Sequence, residues 1–230
     1  MLERPRPLTP IADGLWIDVG PVSILGMPLT ATMTLVRLAD GGLLLHSPLA
    51  LTPERRAAVD ALGPLAHLSA PNLFHHLWLG DWAAAYPHAR VHAPAGLTKK
   101  RPDLRVDRVH GAPEAAFAGV LDEHVIQGFR LGEAVLHAPP ARTLIVTDLV
   151  HNIGRPPGLW TLIYAGAMGF YGRVALSRAI RWTAFSDRAA ARRSLDALLA
   201  LDIERVIVGH GAPIDTDPRR ALAAAFAWLR

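Results

Sequence analysis

The chain has 230 residues, of which 51% are hydrophobic and 19% charged. This composition is typical of a folded chain with a substantial core and excludes a disordered one. The formal net charge is +4, but the basic residues are scattered in short pairs instead of clustering as a nucleic-acid surface would, so we expect no nucleic-acid partner. Cysteine is absent, which excludes disulfide bonds, thiolate metal ligands and a thiol nucleophile.

The predicted elements alternate between β-rich runs and helices. Alternating or apolar runs bounded by turn residues predict strands at 14–19, 31–38, 43–46, 66–70, 90–93, 125–129, 134–137, 143–150 and 205–208. Capping residues and helical periodicity predict helices that begin at Thr52-Pro53, span 81–86 and 187–201, and begin again at Asp217-Pro218. Residues 99–115 read as polar and irregular. Strand meanders interrupted by helices predict an α/β fold with two sheets and helices outside them.

One apolar stretch, at 158–181, requires a membrane test. Its uncharged part, 158–172, is shorter than the roughly 20 residues of a transmembrane helix, so we expect no transmembrane span. Residues 1–10 hold charges and prolines and lack the apolar run of a signal peptide, which predicts a cytoplasmic protein. The chain is expected to be one domain, 1–230, with an apolar helical lid or insertion at about 154–184. An alternative role for 158–181 is a surface for a homodimer or a membrane face.

Polar side chains follow three apolar runs, at the positions where α/β sheets place functional groups. His75 and His76 lie in the loop after 66–70, Asp148 ends the run that begins at residue 143, and His210 stands between two glycines after 205–208. Two imidazoles and a carboxylate can bind one divalent ion and leave positions open for water. Taken singly, each has a plain alternative: a loop histidine pair, a carboxylate bonding loop amides, and a turn histidine.

Ser47 offers a second type of chemistry, because it follows His46 directly. Adjacent residues on a strand point to opposite faces, so this pair is poor geometry for a serine–histidine dyad. No G-x-S-x-G elbow is present either.

The sequence resembles the metallo-β-lactamase-like superfamily, and in detail an uncharacterised bacterial branch of it. The matching parts are the G-H-G that ends at Gly211, H-S-P at 46–48, A-P-N at 70–72 with a histidine following, and T-L-I-V-T-D-L at 143–149. The resemblance implies a four-layer αβ/βα sandwich. It also implies a metal-dependent hydrolase whose main motif is H-x-H-x-D-H.

In this chain the main motif is degenerate. Aligned with that motif, Asn72 and Phe74 occupy the first two ligand positions, and phenylalanine cannot bind a metal. The resemblance therefore implies one ion in place of two, held by His76, Asp148 and His210. His137 would be a ligand or a group beside the ligands.

We therefore expect a mononuclear hydrolase of a small ester, amide or thioester, with one Zn²⁺ or Fe²⁺ ion. Asp148 would be catalytic and His75 would shuttle protons. Two alternatives remain open: a non-catalytic descendant of the fold that binds a partner, and a single-iron oxidoreductase, which two histidines and one carboxylate would permit.

Overall fold

The computed structural model describes residues 8–24, 26–154 and 158–229. Its strands are β1 Thr9–Ala12, β2 Leu15–Ile24, β3 Met27–Arg37, β4 Leu43–His46, β5 Leu65–Ser69, β6 Arg90–Ala93, β7 Arg108–Val109, β8 Asp122–Val125, β9 Ala134–Ala138, β10 Thr143–Ile145, β11 His151–Asn152, β12 Val174–Ala175 and β13 Arg205–Ile207. Its α-helices are α1 Pro53–Asp60, α2 Leu79–Ala85, α3 Leu97–Lys100, α4 Leu159–Ala167, α5 Arg178–Thr183, α6 Arg188–Leu199 and α7 Pro218–Ala225. Short 3-10 turns lie at Ala115–Phe117, Pro139–Ala141 and Ala227–Leu229.

Two larger sheets carry the fold. The first has the strand order β1-β2-β3-β4-β5-β6-β7, antiparallel up to β4 and parallel from β4 onward. The second has the order β13-β10-β9-β8, in which β10 is parallel to β13 and antiparallel to β9. β11 and β12 form a small separate ribbon.

Three apolar clusters show how the layers stack. One lies between the two sheets, where Ile17 and Leu44 of the first sheet share a cluster with Leu136 and Ile207 of the second. A second lies between the first sheet and helices α1 and α2, and it includes the fully buried Trp82. A third joins the second sheet to α6 and α7. Helix, sheet, sheet and helix therefore form four layers, which confirms the predicted αβ/βα sandwich.

Side chains cap two of the predicted helices: Thr52, which was predicted as a cap, and Asp187, the first residue of the predicted helix 187–201. The Thr52 hydroxyl accepts from the backbone N–H of Arg55 at 3.2 Å, and the Asp187 carboxylate accepts from that of Ala190 at 2.9 Å. Each cap satisfies an N–H group that has no partner within its own helix.

Strand ends follow their predictions less closely. The predicted strand 143–150 stops at Ile145 because the N–H groups of Thr147 and Asp148 donate to the Glu133 carboxylate at 2.7 and 2.9 Å, not to a neighbouring strand. The predicted strand 125–129 lies instead at Asp122–Val125, because the chain turns at Gly128, whose φ is +67°. Residues 99–115, predicted to be irregular, contain β7 and the end of α3.

The apolar segment forms α4, β12 and α5. Residues 155–157 of the predicted lid lie outside the described residues. α4 packs on β3, where the Thr161 hydroxyl donates to the Pro28 carbonyl at 3.0 Å. Within the described ranges, no helix is long and apolar enough to cross a membrane.

Candidate metal centre

Two histidines and one aspartate meet at a single point. His75 Nε2 lies 3.4 Å from Asp148 Oδ2, and His210 Nε2 lies 3.6 Å from Asp148 Oδ1. The three side chains offer one ligand atom each within 4.8 Å of one another, and all three are largely buried. Two imidazole nitrogens and a carboxylate at this spacing form a set that can bind a divalent ion.

The sheet topology explains why these residues meet. His75 follows β5, Asp148 follows β10 and His210 follows β13, so each lies after the carboxyl end of a strand. β10 and β13 are parallel, which places their ends at one edge of the second sheet. The two sheets face each other there, and Thr32 of β3 donates its backbone N–H to the Gly209 carbonyl at 2.9 Å.

Neighbouring groups orient both imidazole rings. His75 Nδ1 lies 2.8 Å from the hydroxyl of Ser47, and His210 Nδ1 lies 2.7 Å from the carbonyl oxygen of Thr30. A carbonyl can only accept, so His210 carries its proton on Nδ1 and leaves Nε2 free on the side of Asp148. Hydrogen bonding of the second ring nitrogen is the usual way in which proteins fix a metal-binding histidine.

Asn72 ties the loop to the centre. Its Nδ2 group lies 3.0 Å from Asp148 Oδ2, 3.2 Å from Glu133 Oε2 and 2.9 Å from Thr147 Oγ1. Its Oδ1 accepts from the backbone N–H groups of Phe74 and His75, at 2.8 and 3.0 Å. The fully buried amide therefore sets both the turn that presents His75 and the position of the aspartate carboxylate.

Glu133 lies behind Asp148 and is fully buried. It accepts the two backbone N–H groups that end β10. Burial, and then the negative charge of Asp148, raises the pKa of Glu133 to about 7. The carboxyl group therefore holds the backbone on which Asp148 is carried.

The charges within the centre are balanced. Burial disfavours ionisation of Asp148, but His75 and then His210 outweigh it and hold the pKa of Asp148 below its usual range. Burial likewise disfavours the charged form of His75, but Asp148 outweighs it and raises the pKa of His75. Burial and the nearby His75 lower the pKa of His210. The aspartate is therefore ionised and His210 neutral, as metal ligands must be.

The predicted ligand set is only partly brought together. Asp148 and His210 meet as predicted, but their partner is His75, the predicted proton shuttle. His76, the predicted ligand, lies elsewhere: its Nδ1 is 3.5 Å from a guanidinium nitrogen of Arg101. The Asn72 turn presents one of two adjacent histidines, and the next residue points elsewhere.

His137 also lies away from the centre. It pairs with Leu144, the middle residue of β10, across antiparallel β9 and β10, whereas Asp148 lies beyond the carboxyl end of β10. Its Nε2 lies 3.2 Å from the carbonyl oxygen of Asp202.

The sequence interpretation did not identify four residues of this centre as functional: Ser47 as a partner of His75, Glu133, His151, and the amide role of Asn72. His151 is buried, its ring centre lies 5.5 Å from that of His210, and burial followed by His210 lowers its pKa to about 3. For Glu133 the sequence did carry a signal, because it is a charged residue directly before an apolar strand.

Comparison with known proteins agrees on the fold. No protein-family profile matches the chain, and no curated sequence matches it. Solved structures do: a metallo-β-lactamase from Erythrobacter litoralis with β-mercaptoethanol in its active site matches at TM-score 0.67 and 14% identity, covering 96% of each chain. A metallo-β-lactamase from Pontibacter korlensis matches at TM-score 0.65 and 15% identity, over 96% of this chain and 97% of that one.

A third structure, the metallo-β-lactamase FIM-1 of Pseudomonas aeruginosa in its mono-zinc form, matches at TM-score 0.64 and 14% identity, over 97% and 96% of the two chains. The chain therefore has the metallo-β-lactamase fold, and the predicted resemblance is confirmed at that level. At such low identity the likeness concerns the fold, so any activity must be argued from the site.

Proposed function

We propose that this chain is a mononuclear metal-dependent hydrolase of a small ester, amide or thioester. His75, Asp148 and His210 would hold one Zn²⁺ or Fe²⁺ ion. The observation that carries the proposal is the convergence of two Nε2 atoms on one buried carboxylate, with the Nδ1 atom of each ring at hydrogen-bond distance from another group. The set contains two histidines and one aspartate, as predicted from the sequence, but His75 takes the place of His76.

The residues present fit such an ion. Neutral imidazole and ionised carboxylate suit Zn²⁺ or Fe²⁺, whereas the absence of cysteine removes thiolate ligands. His75 would have to release its proton when the ion binds, because its pKa is raised by Asp148. When bound, the ion would act as a Lewis acid and lower the pKa of a water molecule.

The remaining residues hold this arrangement in place. Ser47 fixes the ring of His75, Thr30 fixes that of His210, and Asn72 holds Asp148 through an amide hydrogen bond. Ser47 itself has a φ of +59°, an uncommon value for a residue with a side chain, and such strained positions are common at functional sites.

An organic substrate is favoured by apolar groups near the loop that carries His75. Phe74 is 51% exposed and Leu77 is 56% exposed, on either side of the two histidines. Phe170 packs against the ring of His151, at 5.5 Å between ring centres, which connects the segment after α4 to the same region. We propose that this segment is the lid and that it contacts the apolar part of the substrate.

A non-catalytic role is the second candidate. The observation that favours it is that Asp148 is already compensated by His75 and by the Asn72 amide, so the centre is electrostatically balanced on its own. A protein that only binds a partner would retain the fold with such a site. The fold alone does not distinguish the two roles.

The test is hydrolysis after loading with Zn²⁺ or Fe²⁺, using p-nitrophenyl acetate, an acyl thioester and an anilide. We expect metal-dependent turnover of at least one substrate, lost by about 100-fold or more in Asp148→Asn and His210→Ala, since removing a ligand removes the ion. His88→Ala is the matched control, because His88 is an exposed histidine and should leave turnover unchanged. Bound metal without turnover of any substrate would contradict the hydrolase and favour the second candidate.

A further inference from the structure

A cavity of 540 Å³ lies on the face of the second sheet's helices, between β12, α5 and α7. Its walls include the side chains of Arg173 and Arg181, the indole of Trp228 and several alanines, among them Ala221 and Ala224. None of these residues belongs to the candidate metal centre. Its volume lies within the range of small-molecule sites and most of its wall is apolar, while one side is open to solvent.

Among the described residues, no carboxylate compensates the positive charge in this cavity. Arg142, Arg192 and Arg205 each form an ion pair with a carboxylate nearby, but within the described ranges no carboxylate pairs with Arg173 or Arg181. The sequence explains this, since 149–186 contains no aspartate or glutamate.

Arg173 and Arg181 each use only their Nε atom in a hydrogen bond within the described residues. Arg173 Nε donates to the Gly169 carbonyl at 2.8 Å, and Arg181 Nε donates to the Leu176 carbonyl at 3.0 Å. These bonds fix the two guanidinium groups and leave their terminal nitrogens without an acceptor among the described residues. Burial lowers the pKa of Arg181 most, and the neighbouring charges of Arg173 and Arg178 lower it further.

Trp228 forms the part of the cavity wall on which Arg181 lies. Its Nε1 atom is buried and has no hydrogen-bond partner in the described part of the chain. The guanidinium of Arg181 lies over its ring, 5.2 Å from the centroid, and that of Arg188 lies 5.8 Å from it. Because its Nε1 atom is buried, Trp228 offers the cavity the face of its ring and the Arg181 guanidinium held on that face by a cation–π contact.

We propose that this cavity binds a small organic anion, with its carboxylate on Arg173 and Arg181 and its apolar chain against the alanines of α7. Two guanidinium groups suit a carboxylate because their donors are planar and always charged. The alanine wall offers no partner for further polar groups, so a ligand with one anionic end and an aliphatic remainder fits better than a free inorganic ion.

The test is a titration of the full-length protein with hexanoate, followed by tryptophan fluorescence and by calorimetry. We expect saturable binding that weakens by about tenfold or more in the Arg173→Gln/Arg181→Gln variant, since two charge-assisted bonds are lost. Arg193→Gln, a charge loss at an exposed arginine of α6, is the matched control and should bind as the parent does. Ala224→Leu fills the cavity from an exposed helix position, keeps both charges, and should also weaken binding.

Three further arms make the test decisive. Hexylamine should not bind, inorganic phosphate should bind more weakly than hexanoate, and the chelator-treated and Zn²⁺-loaded protein should bind hexanoate equally, which separates this cavity from the metal centre. The proposal is overturned if hexanoate does not saturate, if either cavity variant binds normally, if hexylamine or phosphate matches hexanoate, or if hexanoate binds only the Zn²⁺-loaded protein.

Discussion

Changing Asn72 to aspartate replaces its Nδ2 donor by an oxygen, although the atoms around Nδ2 are hydrogen-bond acceptors. The Nδ2 group lies 3.0 Å from Asp148 Oδ2 and 3.2 Å from Glu133 Oε2, while Oδ1 would keep its two backbone donors. The variant therefore loses up to two hydrogen bonds to carboxylates and gains a third buried carboxylate. At about 1.5 to 3 kcal/mol for each bond to a charged group, we expect a loss of about 3 to 6 kcal/mol in the free energy of unfolding.

The assay is urea denaturation of parent and Asn72→Asp in the presence of a chelator. A pH one unit above the pKa of Glu133, which burial raises to about 7, keeps that carboxylate ionised. The loss should shrink at lower pH, because protonated Glu133 can then donate to the new carboxylate. Gln127→Glu makes the same amide-to-acid change at an exposed position and should cost less than about 1 kcal/mol. A loss of under about 1 kcal/mol for Asn72→Asp would refute the role assigned to this amide.

Three more predictions follow, two at the candidate metal centre and one at His92 in β6. Ser47→Ala should weaken Zn²⁺ binding by about tenfold or more in a chelator competition, because the imidazole that it orients is freed, whereas the exposed Ser23→Ala should not; equal affinities would refute this role. Gly209→Ala should cost about 1 to 3 kcal/mol in urea denaturation, since its Cβ would lie 2.8 Å from Thr147 Cα, and normal stability would count against this packing. Burial and then a neighbouring histidine lower the pKa of His92 from 6.5 to about 3, so below pH 6.5 the unfolded chain binds a proton that the folded chain does not, and the free energy of unfolding decreases as the pH is lowered. His92→Gln should reduce that dependence by about 1.4 kcal/mol per pH unit, and an unchanged slope would show that His92 is not held neutral.

Asp148 and His210 could be predicted from the sequence because each follows a short apolar run. Such a run predicts a buried strand, and the residue after it falls at a sheet edge whatever the details of packing. The two sheets and the helix caps could be predicted for the same reason, since periodicity and capping act over a few neighbouring residues.

The choice between His75 and His76 could not be predicted in this way. The loop has no periodicity, and its turn depends on the Asn72 side chain, which bonds to groups 61, 75 and 76 residues further along the chain. Alignment to the family's motif assigned His76 to a ligand position, whereas the turn presents His75.

The position of His137 required the register of β9. Its placement follows from antiparallel pairing with β10, which puts Glu133, and not His137, at the edge beside Asp148. Strand direction within a sheet is a long-range property, and the local pattern of 134–137 is compatible with either direction.

The central claim is that His75, and not the adjacent His76, binds a single metal ion with Asp148 and His210. The most direct measurement is the metal content of the purified parent, His75→Ala and His76→Ala after loading with Zn²⁺ and removal of excess. We expect about one equivalent in the parent and in His76→Ala and almost none in His75→Ala, because His75, and not the adjacent His76, lies against Asp148. Metal retained in His75→Ala but lost in His76→Ala, or two equivalents in the parent, would contradict this account.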